Sequence, residues 1–489
     1  GYYGLCTILL ILCFMALLRI KSIEQLRQVS PGEMGILIGL DRAPEAKTLR
    51  KKVKELGERK LVSEFKGELL QHWASSCKER LGILYIDGHV RPYHGKKHEL
   101  PKTHVARRRL CMPATTDFWV NDKKNEPIFF VTAEANNSLL SQIDKEILPK
   151  IREVVGEEEK ITIIFDREGW SPNYFKKWQE QKIDIITYRK GNYDEWPENC
   201  FIPVSCVYEG KKVEYKLGER SVKIKKDLWM REVRRLCDNG HQTSIMTTRQ
   251  DLLCIDIAIN MFNRWGQENY FRYMRHEYNL DHLCTYTVEK ADPHRLVPNP
   301  EKKEKRKELK ALDGQMMKLE SEYGIKVFEN IEANTFELEK FKEENESLYR
   351  EIKTILENRE KTKAAIKKMP DKVEIKKIKS EEKIVALEKE RKTFCDLIKM
   401  IAYRAETDMS EILIPYFSHH DNEVRSLLKK LFQIPADIIP DYEAKELKLR
   451  FHCMQTNHEQ ELLRKICTIN NEKKIIFPET DLRLVYEVL

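Results

Sequence analysis

Residues 160–189 read KITIIFDREGWSPNYFKKWQEQKIDIITYR. A β-branched apolar run delivers Asp166 just past its end, so residues 160–170 predict a strand. Residues 172–181 then predict a helix with Pro172 in its first turn, and IDIITYR (183–189) a second strand. Upstream, ILYIDGHV (83–90), RRRLCMPATTDFWVND (107–122) and PIFFVTAEA (127–135) predict three more strands. Asn136 and Asn137 precede a helix running to about residue 155, with apolar residues at Leu139, Leu140, Ile143, Ile147 and Ile151. The order is three strands, helix, strand, helix, strand, which implies an α/β mixed sheet carrying helices. Downstream, FIPVSCVYEG, KKVEYKLG and SVKIKK alternate with period two between Gly-containing turns, so residues 191–248 predict a small antiparallel meander inserted before the next helix. SIMTT (244–248) leads back, and Asp251 begins that helix.

This helix contains MFNRWGQENYFRYMR (261–275), in which Arg264, Glu268 and Arg275 sit at offsets of four and seven and share one face. Asp87 ends the first strand and Asp166 the fourth. Adjacent parallel strands deliver their end residues side by side, and a helix packed across that edge supplies a third carboxylate. Three acidic oxygens there suit Mg²⁺ or Mn²⁺. Two such ions ~3.5–4 Å apart would activate water or a DNA 3′-hydroxyl at a phosphodiester, with no covalent protein nucleophile. Taken singly, Asp87 before Gly88 reads as a turn residue, Asp166 before Arg167 as a surface ion pair, and Glu268 as a helix partner of Arg264 or Arg272. Their joint placement carries the reading.

With these residues in hand, the chain resembles the DDE transposases, whose core is ribonuclease H-like. Residues 261–275 resemble the Y-x2-R-x3-E-x6-K signature of the cut-and-paste insertion-sequence group that carries a β-rich insertion before its catalytic Glu. Arg264 and Glu268 match; Met261 stands for the Tyr and loses a hydroxyl, and Arg275 stands for the Lys and keeps a phosphate-binding cation of different geometry. YIDGHVRPYHGKKH (85–98) and IIFDREGW (163–170) are similar to the first and second acidic motifs of that family. The resemblance covers residues 81–290. It implies that Asp87, Asp166 and Glu268 are catalytic and hold metal, while Arg264 and Arg275 hold DNA. His89, Arg91, His94, Lys96 and Lys97 follow the first Asp and read mostly as solvated basic loop residues, with backbone contacts to DNA as the sharper alternative. Trp170, Trp229 and Trp265 are candidates for stacking on an unpaired base, against core packing as the plainer reading of each.

The flanks are helical. At 489 residues the chain is too long for one ordinary domain. Residues 1–80 predict a helical domain. Within it GLDRAPEAKTLRKKVKELGE (39–58) places Leu49, Val53 and Leu56 on one face, with Lys47, Arg50, Lys51, Lys52 and Lys54 around them. A helix-turn-helix-like grip on DNA competes there with an ordinary amphipathic helix. The apolar run LCTILLILCFMALL (5–18) is shorter than the ~20 residues a membrane span needs and predicts a buried helix. The chain opens on Gly1 rather than Met, so a missing N-terminal segment is expected. Residues 291–308, rich in Pro and charge, predict a linker. An a/d pattern follows through Val327, Ile331, Leu338, Phe341, Leu348, Ile352 and Ile355, with Asn334 and Asn345 in the seam. After a break at 369–371 a second helix is expected over about 374–404, so residues 309–404 form a helical hairpin or a coiled-coil arm. Residues 405–489 predict a helical module with a short β-like tail (473–488).

Twelve cysteines without a C-x-x-C pair argue against a zinc knuckle or disulfide framework and for reduced thiols; His276, His282 and Cys284 are the nearest imitation of a metal cluster. A net charge of +8 favours a polyanionic partner only where it clusters. The expectation is a bacterial, cytoplasmic transposase that binds double-stranded DNA as a homodimer or larger, away from membranes. A transposase-derived DNA-binding protein without strand chemistry is the runner-up, and a coiled-coil scaffold the third reading.

Overall fold

The computed structural model describes residues 3–76, 78–96, 98, 100–134, 137–332, 343, 345–380, 384–416, 421–477 and 480–489. Lys97, Asn136 and the heptad positions Asn334, Leu338 and Phe341 lie outside the described residues. The chain divides into two compact units, Gly1–Thr287 with Leu387–Leu489, and Val288–Ala386.

The first unit opens on helices α1 (Leu5–Leu17), α2 (Pro31–Ile36), α3 (Ala46–Glu58) and α4 (Val62–Ser76). Strands β1 (Ile83–Pro92), β2 (Lys102–Val105), β3 (Leu110–Asn121) and β4 (Pro127–Glu134) follow, then α5 (Leu139–Gln142) and α6 (Leu148–Val155). The π-helical turn Ile143–Ile147 joins α5 to α6, where Pro149 has no N–H to give to the preceding turn. Next come β5 (Ile161–Phe165), α7 (Pro172–Glu180) and β6 (Ile183–Tyr188). Hydrogen bonding orders these strands β4-β3-β1-β5-β6, with β1, β5 and β6 parallel and β3 antiparallel to both its neighbours. All five residues of β5 are buried, as expected of a parallel strand covered on both faces. Alternation sorts them: Ile161, Ile163 and Phe165 enter one apolar layer with Phe175 and Trp178 of α7, and Ile164 enters the other.

The β-rich region forms β7 (Ile202–Tyr208), β8 (Lys211–Lys225), β9 (Leu228–Leu236) and β10 (Gln242–Thr247). These four strands pair antiparallel in chain order and are part of the main sheet. β10 pairs antiparallel with β6, Ile245 opposite Tyr188, so the whole region continues the main sheet to ten strands. An unpaired edge on β6 would otherwise present a row of free backbone groups. The helix expected from Asp251 starts at Cys254 and is two pieces, α8 (Cys254–Phe262) and α9 (Trp265–Tyr278), broken at Asn263 and Arg264.

In the second unit β11 (Val288–Lys290) and β12 (Leu296–Pro298) precede α10 (Pro300–Glu332), α11 (Glu346–Lys368) and β13 (Lys372–Glu374), and β14 (Val385–Leu387) falls at the unit's boundary. The expected linker over 291–308 is therefore cut short at Pro300. Asn299 Oδ1 accepts from Glu301 N at 3.0 Å and Lys302 N at 3.4 Å, which makes an N-cap with Pro in the first turn. α10 and α11 pair with each other as a hairpin, tied by Asp313–Arg359 at 2.6 Å. Leu348, Ile355 and Thr362 are buried at heptad spacing along α11. The helix expected over 374–404 is displaced: β13 pairs with β12, and the helix α12 runs Glu390–Leu413, through the expected boundary at 404/405.

Back in the first unit, α13 (Asp421–Leu431) leads to β15 (Ala436–Asp441), β16 (Glu446–Phe451), α14 (Asn457–Glu472) and β17 (Arg483–Val488). The C-terminal module is thus half sheet, with β15 antiparallel and β17 parallel to β16. α1 buries one face: Ile8, Ile11, Leu12 and Met15 share a core with Phe394, Leu397, Ile398 and Met400 of α12, while Leu5 and Leu10 are exposed. Among the described residues no helix is long and apolar enough to cross a membrane. The basic face of α3 is partly paired with carboxylates: Arg50 meets Glu24 of the 3-10 turn Ile23–Gln28 at 2.9 Å, and within the helix Lys52–Glu55 lie at 3.0 Å and Lys54–Glu58 at 3.6 Å.

A candidate catalytic cleft

Strand register places the first two carboxylates. Ile83, Leu84 and Tyr85 of β1 lie opposite Thr162, Ile163 and Ile164 of β5, and the same register two residues on sets Asp87 beside Asp166. Asp87 is not the last residue of its strand, because β1 stays paired with β3 as far as Pro92. What ends near Asp87 is the pairing with β5, and that opens the cleft. Each Asp folds back onto the following amide: Gly88 N donates to Asp87 Oδ1 at 2.8 Å and Arg167 N to Asp166 Oδ1 at 2.7 Å.

The third carboxylate is set by how α9 is bolted down. Gln267 is fully buried, and its Nε2 donates to Trp119 O at 3.1 Å and Asn121 Oδ1 at 2.9 Å on β3. A Cβ on Gly266 would meet the side chain of Asn125 at 2.3 Å, and Asn125 Nδ2 itself donates to Asn263 O. Glycine is therefore what lets the β3–β4 turn approach the start of α9. The far end of α9 is held by the buried Glu406, which accepts from Tyr273 and Tyr278 hydroxyls and pairs with Arg19 at 2.7 Å. With both ends fixed, Glu268 faces the sheet edge. Neither Gln267 nor Asn125 stands out in sequence; a glutamine inside an otherwise amphipathic helix is the faint signal.

Asp87, Asp166, Glu268, Arg264 and Arg275 line one cleft of about 560 Å³. Arg264, at the N-cap of α9, joins two of the acids: Nη2 lies 2.9 Å from Glu268 and Nη1 3.5 Å from Asp87. Burial opposes its charge, yet Asp87, Asp166 and Glu268 together hold its pKa above the usual value. Asp87 is pushed up to about 6, first by burial and then by the charges of Asp166 and Glu268, against the pull of Arg264 and the Gly88 amide. Among the described residues no set of three His, Cys, Asp or Glu side chains is placed to hold a metal ion. The three carboxylates share the cleft without converging on a point.

The crowding has a cost that a mutation relieves. The folded state binds the Asp87 proton more tightly than the unfolded state, so its contribution to stability falls as pH rises from about 4 to 6 and is fully unfavourable at pH 7. Asp87→Asn is expected to stabilise the metal-free protein at pH 7 by about 1–3 kcal/mol, with the gain vanishing below pH ~4. Arg264 keeps Glu268 as a partner in that variant. Chemical denaturation at the two pH values checks this.

Arg275 donates its Nε to Phe271 O at 3.1 Å, and the exposed Arg272 lines the same wall. Met261 is buried in the core beneath the site, so no side chain from that position reaches the cleft. Of the basic residues after Asp87, Arg91 is neither solvated nor DNA-facing: it is buried between Asp117 at 3.0 Å and Asp396 at 3.1 Å. His89 is buried, stacks on Phe271 and meets Asp281 at 2.7 Å. His94 and Lys96 are exposed. Trp170 packs against the core, whereas Trp229 and Trp265 are each 56% exposed and are not core residues. Arg107 also lines the cleft and pairs with Asp281 at 2.6 Å, and nothing in the RRR run of 107–109 marks it out from its neighbours.

The family described as "Transposase protein" matches the chain over residues 1–489, and the chain belongs to that family. No curated protein matches it. Among solved structures it is similar to one described as a piggyBac transposase synaptic complex with hairpin DNA, at 11% identity and a TM-score of 0.31, over 55% of this chain and 58% of that one.

Proposed function

We propose that this transposase is a DDE enzyme, cutting DNA and joining a 3′-hydroxyl to target DNA at the cleft of Asp87, Asp166 and Glu268. The observation that carries the reading is the β1–β5 register, which sets Asp87 beside Asp166 at the point where parallel pairing ends, with Glu268 above on α9. The order β4-β3-β1-β5-β6, with only β3 reversed, supports a ribonuclease H-like core. Asp87, Asp166 and Glu268 would hold one or two Mg²⁺ or Mn²⁺ ions. Their donor set is oxygen only, and a bound cation would favour the ionised form of Asp87, which burial first and then the charges of Asp166 and Glu268 hold back. Such ions activate the attacking oxygen and stabilise the leaving one.

The chain's own residues then have separate tasks. Gln267 and the Gly266–Asn125 contact fix where Glu268 sits. Arg264 neutralises Asp87 and Glu268 in the free protein and is freed for a DNA phosphate when they turn to other partners. Arg275 and Arg272 line the path of the backbone. A second reading, a DNA-binding protein without strand chemistry, is favoured by the Arg264 bridge and by the carboxylates not converging on a point.

Duplex DNA carrying the ends of its own element discriminates the two. Divalent-metal-dependent cleavage by the wild type, lost in Asp166→Asn, is the expected result. Cleavage by Asp166→Asn at the wild-type rate would sink the DDE reading, and binding without cleavage by the wild type would put the second reading in its place.

A further inference from the structure

Between Glu99 and Asp117 the chain has no acidic residue, and Lys102, Arg107, Arg108 and Arg109 all fall in that span. The structure folds it into a β2–β3 hairpin in register Lys102↔Pro113 to Val105↔Leu110. The turn is a short 3-10 helix, Ala106–Arg108, closed by Arg109 at φ 52° with its N–H on Ala106 O. One side of this hairpin is a wall of the carboxylate cleft, through Thr103, His104, Val105 and Arg107.

The turn end of the hairpin is both anchored and charged. Val105 is buried, and Arg107 is held by Asp281 at 2.6 Å and by Val90 O at 3.2 Å. Asp281 in turn is shared with His89, two residues beyond Asp87. Arg107 is thus committed to positioning. Arg108 and Arg109 are exposed at the turn beside it, as are Lys102 and His104 along β2. A cationic tip on a rigid ribbon at the rim of a phosphodiester site meets the demand for phosphate contacts that fix register without reading sequence.

We propose that the β2–β3 hairpin is a phosphate clamp. Arg108 and Arg109 grip the backbone of duplex DNA as it leaves the cleft, and Arg107 holds the hairpin in place through Asp281. This rests on the DNA-cleaving reading of the cleft and adds to it a second contact surface.

The test is equilibrium binding of a fluorescent duplex by the full chain over a series of KCl concentrations. Four proteins are compared: the wild type, Arg108→Glu/Arg109→Glu, Arg108→Lys/Arg109→Lys, and Lys367→Glu/Lys368→Glu, an exposed pair in the last turn of α11 that serves as a control. The hairpin reversal is expected to weaken binding more than ~10-fold at ~0.1 M salt and to lower the slope of log affinity against log salt by about 2, one unit per lost phosphate contact. The lysine pair is expected to keep the slope, and the control to keep both affinity and slope. Unchanged binding and slope in the hairpin reversal overturns the clamp, and so does an equal loss in the control, which would mean diffuse attraction. Should the glutamate pair fail to fold, Arg108→Gln/Arg109→Gln gives the same slope readout and is judged by the same outcomes. A wild type that binds no duplex overturns the reading of the cleft itself, and the clamp with it.

Discussion

Glu268→Gln is expected to lower metal-dependent DNA cleavage on the order of 10³–10⁴-fold while leaving the fold intact. The two halves of that statement rest on different observations. Glu268 is one of three carboxylates in the cleft, so losing its charge removes part of the set that would hold the metal. Its structural work is small: the side chain is 36% exposed and makes one helix-spaced ion pair, with Arg264. Such pairs contribute about 0.2–0.5 kcal/mol. DNA affinity without metal should hold or rise, because one negative charge facing the phosphates is gone and Arg264 loses its nearer partner, keeping Asp87 at 3.5 Å. Single-turnover cleavage and metal-free binding, measured on the same preparation, check both. Cleavage within tenfold of wild type would show that Glu268 is not the third ligand.

Asp396→Ala is expected to cost about 3–5 kcal/mol of stability, the range for removing one partner of a buried ion pair. Asp396 is fully buried on α12 and faces three cations: Arg91 at 3.1 Å, Lys399 at 3.7 Å, and Lys392, which hydrogen-bonds it directly. Arg91 retains Asp117 after the substitution, but Lys392 keeps only the carbonyl of Leu280. Lys399 is already pushed down to about 8, mainly by burial and then by Lys392, with Asp396 pulling the other way. A lysine with a lowered folded pKa destabilises below that pKa and is relieved as pH rises toward its unfolded value near 10.4. The unfolded lysine is common to both proteins, so the part of the Asp396→Ala deficit carried by Lys399 follows its folded state: it is present at pH 7 and narrows as pH rises through about 8, to vanish by about pH 9–10. Urea denaturation across that range measures it, and a loss under ~1 kcal/mol at pH 7 would contradict the network.

What sequence could and could not show follows from the range of the forces involved. The β5–α7–β6 unit is legible because its signals are local: an all-apolar strand, Pro172 at a helix start, a second apolar strand. Asp166 follows from the same run. Arg91 is not legible as a core residue, since its partner Asp396 lies 305 residues away and nothing near Arg91 announces burial. Gln267 fails for the same reason, being defined by a carbonyl on β3 148 residues earlier. Pro300 misled in a different way. Pro and charge over 291–308 read as a linker, while the same Pro following Asn299 is a helix start. Trp229 and Trp265 look like core by size alone, yet both are largely exposed. Of the C-terminal sheet, β17 falls in the expected β-like tail, whereas β15 and β16 hide because they are short and half-exposed, and β15 contains Pro440.

On the proposed function, Asp87, Asp166 and Glu268 act as one oxygen-ligand set, although Arg264 bridges two of them. The most direct measurement is Mn²⁺ binding by the DNA-free chain, followed by electron paramagnetic resonance, for the wild type and for Asp166→Asn. A shared ligand set requires saturable binding by the wild type that is lost or weakened at least ~10-fold in the variant, the size of effect expected on removing a ligand of a hard cation. Equal Mn²⁺ binding by the two proteins, or none by either, would contradict it.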